Sequence, residues 1–102
     1  MYNPQLQALM PQVIKVLKEH QVKSAYLFGS SCTDKFKPDS DVDLLISFSE
    51  DLDPLQKGQS IWDLEDELTK ILEHEVDIVT ESSLKNPYFI KELNETKVRI
   101  YE

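Results

Sequence analysis

The sequence predicts an α/β domain: a small, twisted, mixed sheet of about four strands with helices packed mainly on one face. Three observations carry that expectation. Two long stretches place apolar residues at three- and four-residue spacing, the period of an amphipathic helix. Short apolar runs of strand length fall at 22–28, 41–48 and 75–80. Three times an Asn or Asp directly precedes a Pro: Asn3-Pro4, Asp53-Pro54 and Asn86-Pro87. Asn and Asp are good helix N-caps, and Pro is favoured at the first helical position.

The first helix starts at Asn3-Pro4 and carries Leu6, Leu9, Met10, Val13, Ile14 and Leu17 as its apolar stripe. Pro11 lacks an N–H and is expected to kink or split it. His20 reads as a helix C-terminal residue rather than a ligand. The first strand, 22–28, sets Tyr26 and Phe28 against Ala25 and Leu27 on opposite faces. A loop over 29–40 leads to the second strand, from about Asp41 to Phe48. There Val42, Leu44, Ile46 and Phe48 face a core, and Asp41 and Asp43 face the other way.

Asp53-Pro54 opens a helix with Leu55, Ile61, Trp62, Leu64, Leu68, Ile71 and Leu72 as its apolar set, so Trp62 is expected in the core. Asp63, Glu65, Asp66 and Glu67 form its solvated face. Gly58 costs this helix some stability. The third strand, 75–80, buries Val76, Ile78 and Val79, with Asp77 among them and His74 as a turn residue before it. Asn86-Pro87 opens a last helix with Phe89, Ile90 and Leu93. Val98, Ile100 and Tyr101 close the chain as a short strand or extended tail.

The 102 residues make one domain, 1–102, with a single modest core. No run of eighteen apolar residues exists, so no membrane helix is expected. The N-terminus lacks a basic segment followed by an apolar one, so it is not a signal peptide. The single cysteine, Cys32, excludes an internal disulfide, suits a reducing cytoplasm and reads as a small filler near the loop. The formal net charge is −8 and Arg99 is the one arginine. Gripping nucleic acid takes Lys and Arg against phosphate, so direct nucleic-acid binding is not expected. The acidity suits a basic protein partner, or simple solubility.

The chemistry concentrates in Tyr26–Phe48. Residues i and i+2 of a strand share a face, so Asp41 and Asp43 project together. Carboxylates that close repel and favour a cation between them, and hard cations such as Mg²⁺ take oxygen ligands together with waters and phosphates. Gly29 lets the backbone turn sharply and approach a ligand, and the Ser30 hydroxyl adds a donor. The segment Ser30–Thr33 has no breaker and can form a turn of helix whose N–H groups bind phosphate. If the 75–80 strand pairs beside the 41–48 strand, Asp77 joins the same site.

An apolar strand, Gly-Ser, a spacer of about ten residues and Asp-x-Asp together resemble the DNA polymerase β-like nucleotidyltransferases. Within that superfamily the chain looks like the minimal nucleotidyltransferase (MNT) domains, antitoxin partners of HEPN-domain toxins. The match rests on Gly29, Ser30, Pro38, Ser40, Asp41 and Asp43, and extends to Asp77 and the segment SLKNPYFI. Many MNT domains have Arg where Ser31 stands and Gly where Asp34 stands; here the loop carries Lys35 and Lys37.

The resemblance implies a Mg²⁺-dependent protein adenylyltransferase. Asp41, Asp43 and Asp77 would be its catalytic and metal-binding residues, holding a pair of Mg²⁺ ions. Gly29 and Ser30 would bind the phosphates of ATP, its substrate. The implied partner is a HEPN-domain toxin RNase, held as a hetero-oligomer in the cytoplasm and silenced by AMP on a tyrosine hydroxyl. Two alternatives stay open. One is an antitoxin that neutralises by binding alone. The other is a small-molecule nucleotidyltransferase, which normally needs extra sequence for its acceptor.

Overall fold

The computed structural model describes residues 4–29, 40–49 and 51–102. Helix α1 spans Pro4–Glu19 and is followed by β1, Val22–Phe28, and β2, Val42–Phe48. Helix α2, Pro54–Leu72, leads to β3, Val76–Thr80. A 3₁₀ turn at Glu81–Ser83, α3 at Pro87–Thr96 and β4 at Val98–Tyr101 complete the chain. The sheet order is β3-β2-β1-β4. β1 runs antiparallel to both β2 and β4, and β2 runs parallel to β3. A parallel pair needs a long crossover, and α2 supplies it.

The helix starts follow their caps. Asp53 and Gln56 form a reciprocal capping box: the Gln56 N–H donates to Asp53 Oδ1 at 2.8 Å, and the Asp53 N–H donates to Gln56 Oε1 at 3.1 Å. The Asn86 side chain accepts from the N–H groups of Tyr88 and Phe89. Asn3 lies outside the described residues. Helix α2 stops at Glu73, which takes a left-handed conformation (φ 57°) and donates its N–H to the Thr69 carbonyl at 2.9 Å.

Leu6, Met10, Val13 and Leu17 of α1 and Leu64, Leu68 and Leu72 of α2 bury one face of the sheet. They meet Val22, Ala25 and Leu27 of β1, Val42, Leu44, Ile46 and Phe48 of β2, and Val76 of β3. Among the described residues the opposite face is covered by α3, through a smaller cluster of Phe28, Leu45 and Leu93 with Tyr26, Val79 and Leu84 beside it. The Phe28 and Phe89 rings meet edge to face, 5.9 Å between centroids. His20 Nε2 lies 2.7 Å from Glu67 Oε2 and ties the end of α1 to α2. No helix among the described residues is long and apolar enough to cross a membrane.

Three expectations are corrected. Pro11 does not split the first helix; it sits exposed within one continuous α1. The buried stripe on both sides of Pro11 outweighs one lost hydrogen bond, because each buried Leu or Val contributes about 1.5–3 kcal/mol. Trp62 is not in the core but 73% exposed, and Leu55 is 87% exposed. Trp62 lies two positions from Leu64, roughly 200° around the helix. The phase set by Leu64, Leu68 and Leu72 therefore turns it outward. Asp41 falls one residue ahead of β2 rather than inside it.

Candidate active site

The site is built where three strands run side by side. Phe28, the last residue of β1, pairs with Asp43 of β2. Asp43 in turn pairs with Asp77 of β3 in parallel register. Side chains level across neighbouring strands share a face, so these two carboxylates stand together on the α3 side of the sheet. Asp43 is half-buried, whereas Asp41 and Asp77 are exposed.

Backbone and side-chain bonds hold the strand ends in line. The Val42 N–H donates to the Glu75 carbonyl at 2.8 Å. His74 Nδ1 lies 2.8 Å from the Ser40 carbonyl oxygen; a carbonyl only accepts, so that nitrogen carries the proton. His74 is thus the brace that joins the approach to Asp41 with the turn before Asp77.

Gly29 follows Phe28 with φ +73°, a conformation that L side chains rarely adopt. A Cβ built there would stand 2.5 Å from Asp43 Oδ2. The glycine is therefore required twice, for its backbone angle and for the close approach of the Asp43 carboxylate. Burial pushes the Asp43 carboxyl up to about 6, with repulsion from Asp77 and then Asp41 adding to it. Asp43 therefore feels the charge of both of the other acidic side chains.

Two clefts flank this row. One, of about 190 Å³, lies between β1 and α3 and is lined by Phe28, Gly29, Asp43, Phe89, Glu92, Leu93 and Thr96. The other, of about 360 Å³, lies between α2 and the start of β3 and includes Trp62 and Asp77. Ser30 lies outside the described residues, as do the expected turn Ser30–Thr33, Cys32, Lys35, Lys37 and Pro38. Among the described residues no three His, Cys, Asp or Glu side chains are arranged to hold a metal ion unaided. The sequence reading missed the α3 wall, where Phe89, Glu92 and Thr96 reach the site, and the bracing role of His74. The SLKNPYFI segment, just before and into α3, was the one signal for that wall.

The sequence profile described as "Polymerase beta, Nucleotidyltransferase" matches residues 11–102. The chain belongs to this nucleotidyltransferase family. A curated relative of the nucleotidyltransferase, "Putative protein adenylyltransferase MJ0128" of Methanocaldococcus jannaschii, is 37% identical over 87 residues. That match covers 84% of this chain and 85% of the relative. Among solved structures, the fold is similar to a chain of a toxin–antitoxin crystallised with AMP-PNP. The TM-score is 0.71 at 22% identity, over 90% of this chain and 72% of that one. It is also similar to a chain of the tri-AMPylated Shewanella oneidensis HEPN toxin in complex with MNT antitoxin. There the TM-score is 0.65 at 22% identity, over 93% of this chain and 71% of that one.

Proposed function

We propose that this nucleotidyltransferase is an antitoxin that transfers AMP from ATP to a tyrosine hydroxyl of a HEPN-domain toxin RNase, and so silences it. The observation that carries the reading is the register of Asp43 against Asp77, with the Asp43 carboxylate in the space that a Cβ at Gly29 would take. The kinship with proteins named adenylyltransferases supports the AMP chemistry, and the fold shared with toxin–antitoxin chains supports the partner.

Asp41, Asp43 and Asp77 supply hard oxygen donors on an open face, which fits a divalent cation that completes its shell with phosphate oxygens and water. Burial first, and repulsion by Asp77 and Asp41 second, raise Asp43, and such a charge offsets both. Bound there, a pair of Mg²⁺ ions would neutralise phosphate charge and acidify the acceptor hydroxyl. The chain's own residues do the positioning. Gly29 leaves the end of β1 without a side chain, so phosphate oxygens can approach the backbone, and Ser30 follows as a donor. The acceptor oxygen attacks the α-phosphorus in line as the bond to pyrophosphate breaks. Pyrophosphate leaves with the electron pair, and the hydroxyl proton passes to Asp77, an exposed carboxylate on the neighbouring strand.

Intact-mass spectrometry of a HEPN partner after incubation with ATP and Mg²⁺ tests this. The expected result is a gain of one AMP per modified tyrosine. A stable complex that silences the RNase with no mass gain would replace the transferase by a binding-only antitoxin.

A further inference from the structure

Resting on the transferase reading above, we propose that the groove between α2 and β3 docks a basic segment of the acceptor protein. In this arrangement an arginine or lysine lies on Trp62 beside the carboxylates of Glu65 and Asp66 on α2 and of Glu75 at the head of β3. The groove measures about 360 Å³ and opens to solvent. Its lining includes an indole that is 73% exposed although it sits mid-helix, just ahead of the turns that bury Leu64 and Leu68. An exposed tryptophan face attracts cations through its quadrupole, guanidinium above all. Carboxylates around that face add charge-assisted hydrogen bonds.

The occupant is chosen by charge. Asp66 is already bridged to Lys70 at 3.1 Å, an exposed pair of small energetic weight. Glu65, Glu75 and Asp77 make no ion pair among the described residues. A rim of that sign attracts a cationic chain, and the net charge of −8 steers it in from a distance. The two flanks of the sheet differ in the same sense. Lys97 and Arg99 stack over Tyr26 on the β1–β4 side, 4.6 and 5.7 Å from the ring centroid, whereas the β3 side presents carboxylates.

Asp77 lines the groove and also stands level with Asp43. A basic side chain seated on Trp62 therefore delivers the neighbouring part of its own chain to the carboxylate row. Nucleotide enters beside Gly29, and the acceptor enters from the opposite side of Asp43.

Trp62 is the chain's one tryptophan, so its emission reads the groove directly. The intact protein is titrated with hexa-arginine amide in the absence of nucleotide. The expected result is a saturable change in emission that weakens about tenfold in Glu65→Gln/Glu75→Gln and hardly at all in Glu19→Gln/Glu95→Gln, which removes the same charge elsewhere. Circular dichroism checks that both variants keep the fold. The proposal is overturned if the peptide leaves the emission unchanged, or if both double variants weaken binding equally. It is also overturned if ATP alone gives the saturable change, marking a base pocket, or if protein concentration alone gives it, marking contact between two copies. Because no nucleotide is present, the outcome is independent of AMP transfer. A chain that binds the peptide but labels no partner keeps the groove and loses the transferase reading.

Discussion

The two faces of β2 are built for opposite purposes. Val42, Leu44, Ile46 and Phe48 point into a dry layer where fifteen described side chains are buried together. Asp43 and Leu45 point to the other side, where the buried cluster among the described residues is three, under helix α3. One face can therefore afford almost no error in volume, and the other carries charges that oppose folding. The difference teaches that the large apolar layer stabilises a row of carboxylates that could not hold itself together.

The sharpest way to break that contrast is at Asp43. Asp43→Asn is expected to lower AMP transfer by about a hundredfold or more, since the proposed mechanism then loses a metal ligand. The same variant is expected to unfold at a higher temperature than the natural chain at neutral pH, because a repelled, half-buried charge is gone. Transfer assays and thermal melts on one preparation check both halves. A variant that is inactive and less stable would show that Asp43 is structural.

On the dry face, Leu64→Ala is expected to cost about 2–5 kcal/mol, as a fully buried leucine leaves a cavity. Leu93→Ala, on the α3 side, should fall toward the lower end of that range, because the thin cluster there can relax around the void. Urea titration of the two variants measures the difference. Equal losses would mean that the two faces are packed alike.

The two glycines offer a finer comparison. Gly29→Ala forces a Cβ against Asp43 at a left-handed backbone angle, and about 1–2 kcal/mol of stability should be lost together with most of the activity. Gly58 lies exposed inside α2 with nothing within 4 Å of a built Cβ. Gly58→Ala should therefore add about 0.5–1 kcal/mol and leave transfer untouched. Melting temperatures of the pair should move in opposite directions.

The last comparison is the pH dependence. The Asp43 carboxyl titrates near 3.8 when unfolded and is raised to about 6 when folded. Between those values the folded state binds the extra proton, so stability from this group falls as pH rises and levels off above the folded value. Other carboxylates titrate in the same window, so the natural chain is best compared with Asp43→Asn. Their stability gap should be smallest near the unfolded value and widen to a plateau above the folded one. A gap independent of pH would remove the electrostatic account of the site.

Much of this was legible along the chain. The strand runs and the three cap-plus-proline starts are local signals, and α2 and α3 begin where Asp53 and Asn86 place them. The Gly29…Asp41-x-Asp43 spacing also reads locally, because alternation within one strand decides which side chains share a face. Trp62 was misread because its apolar character fits a stripe, while its phase depends on which leucines the sheet captures. Pro11 was misread because the cost of a missing hydrogen bond is local and the burial that offsets it is not.

Composition and order alone determined an acidic α/β domain with a glycine turn, two clustered aspartates and a third held in reserve on another strand. Only the folded chain decided that Asp77 stands level with Asp43, that Gly29 touches its carboxylate and that Trp62 is left on the rim of a groove. The second follows from the pairing of β1 with β2, and the other two from how α2 carries the chain from β2 back to β3. That path is set by leucines packing against a sheet far from them in sequence, which no local pattern records.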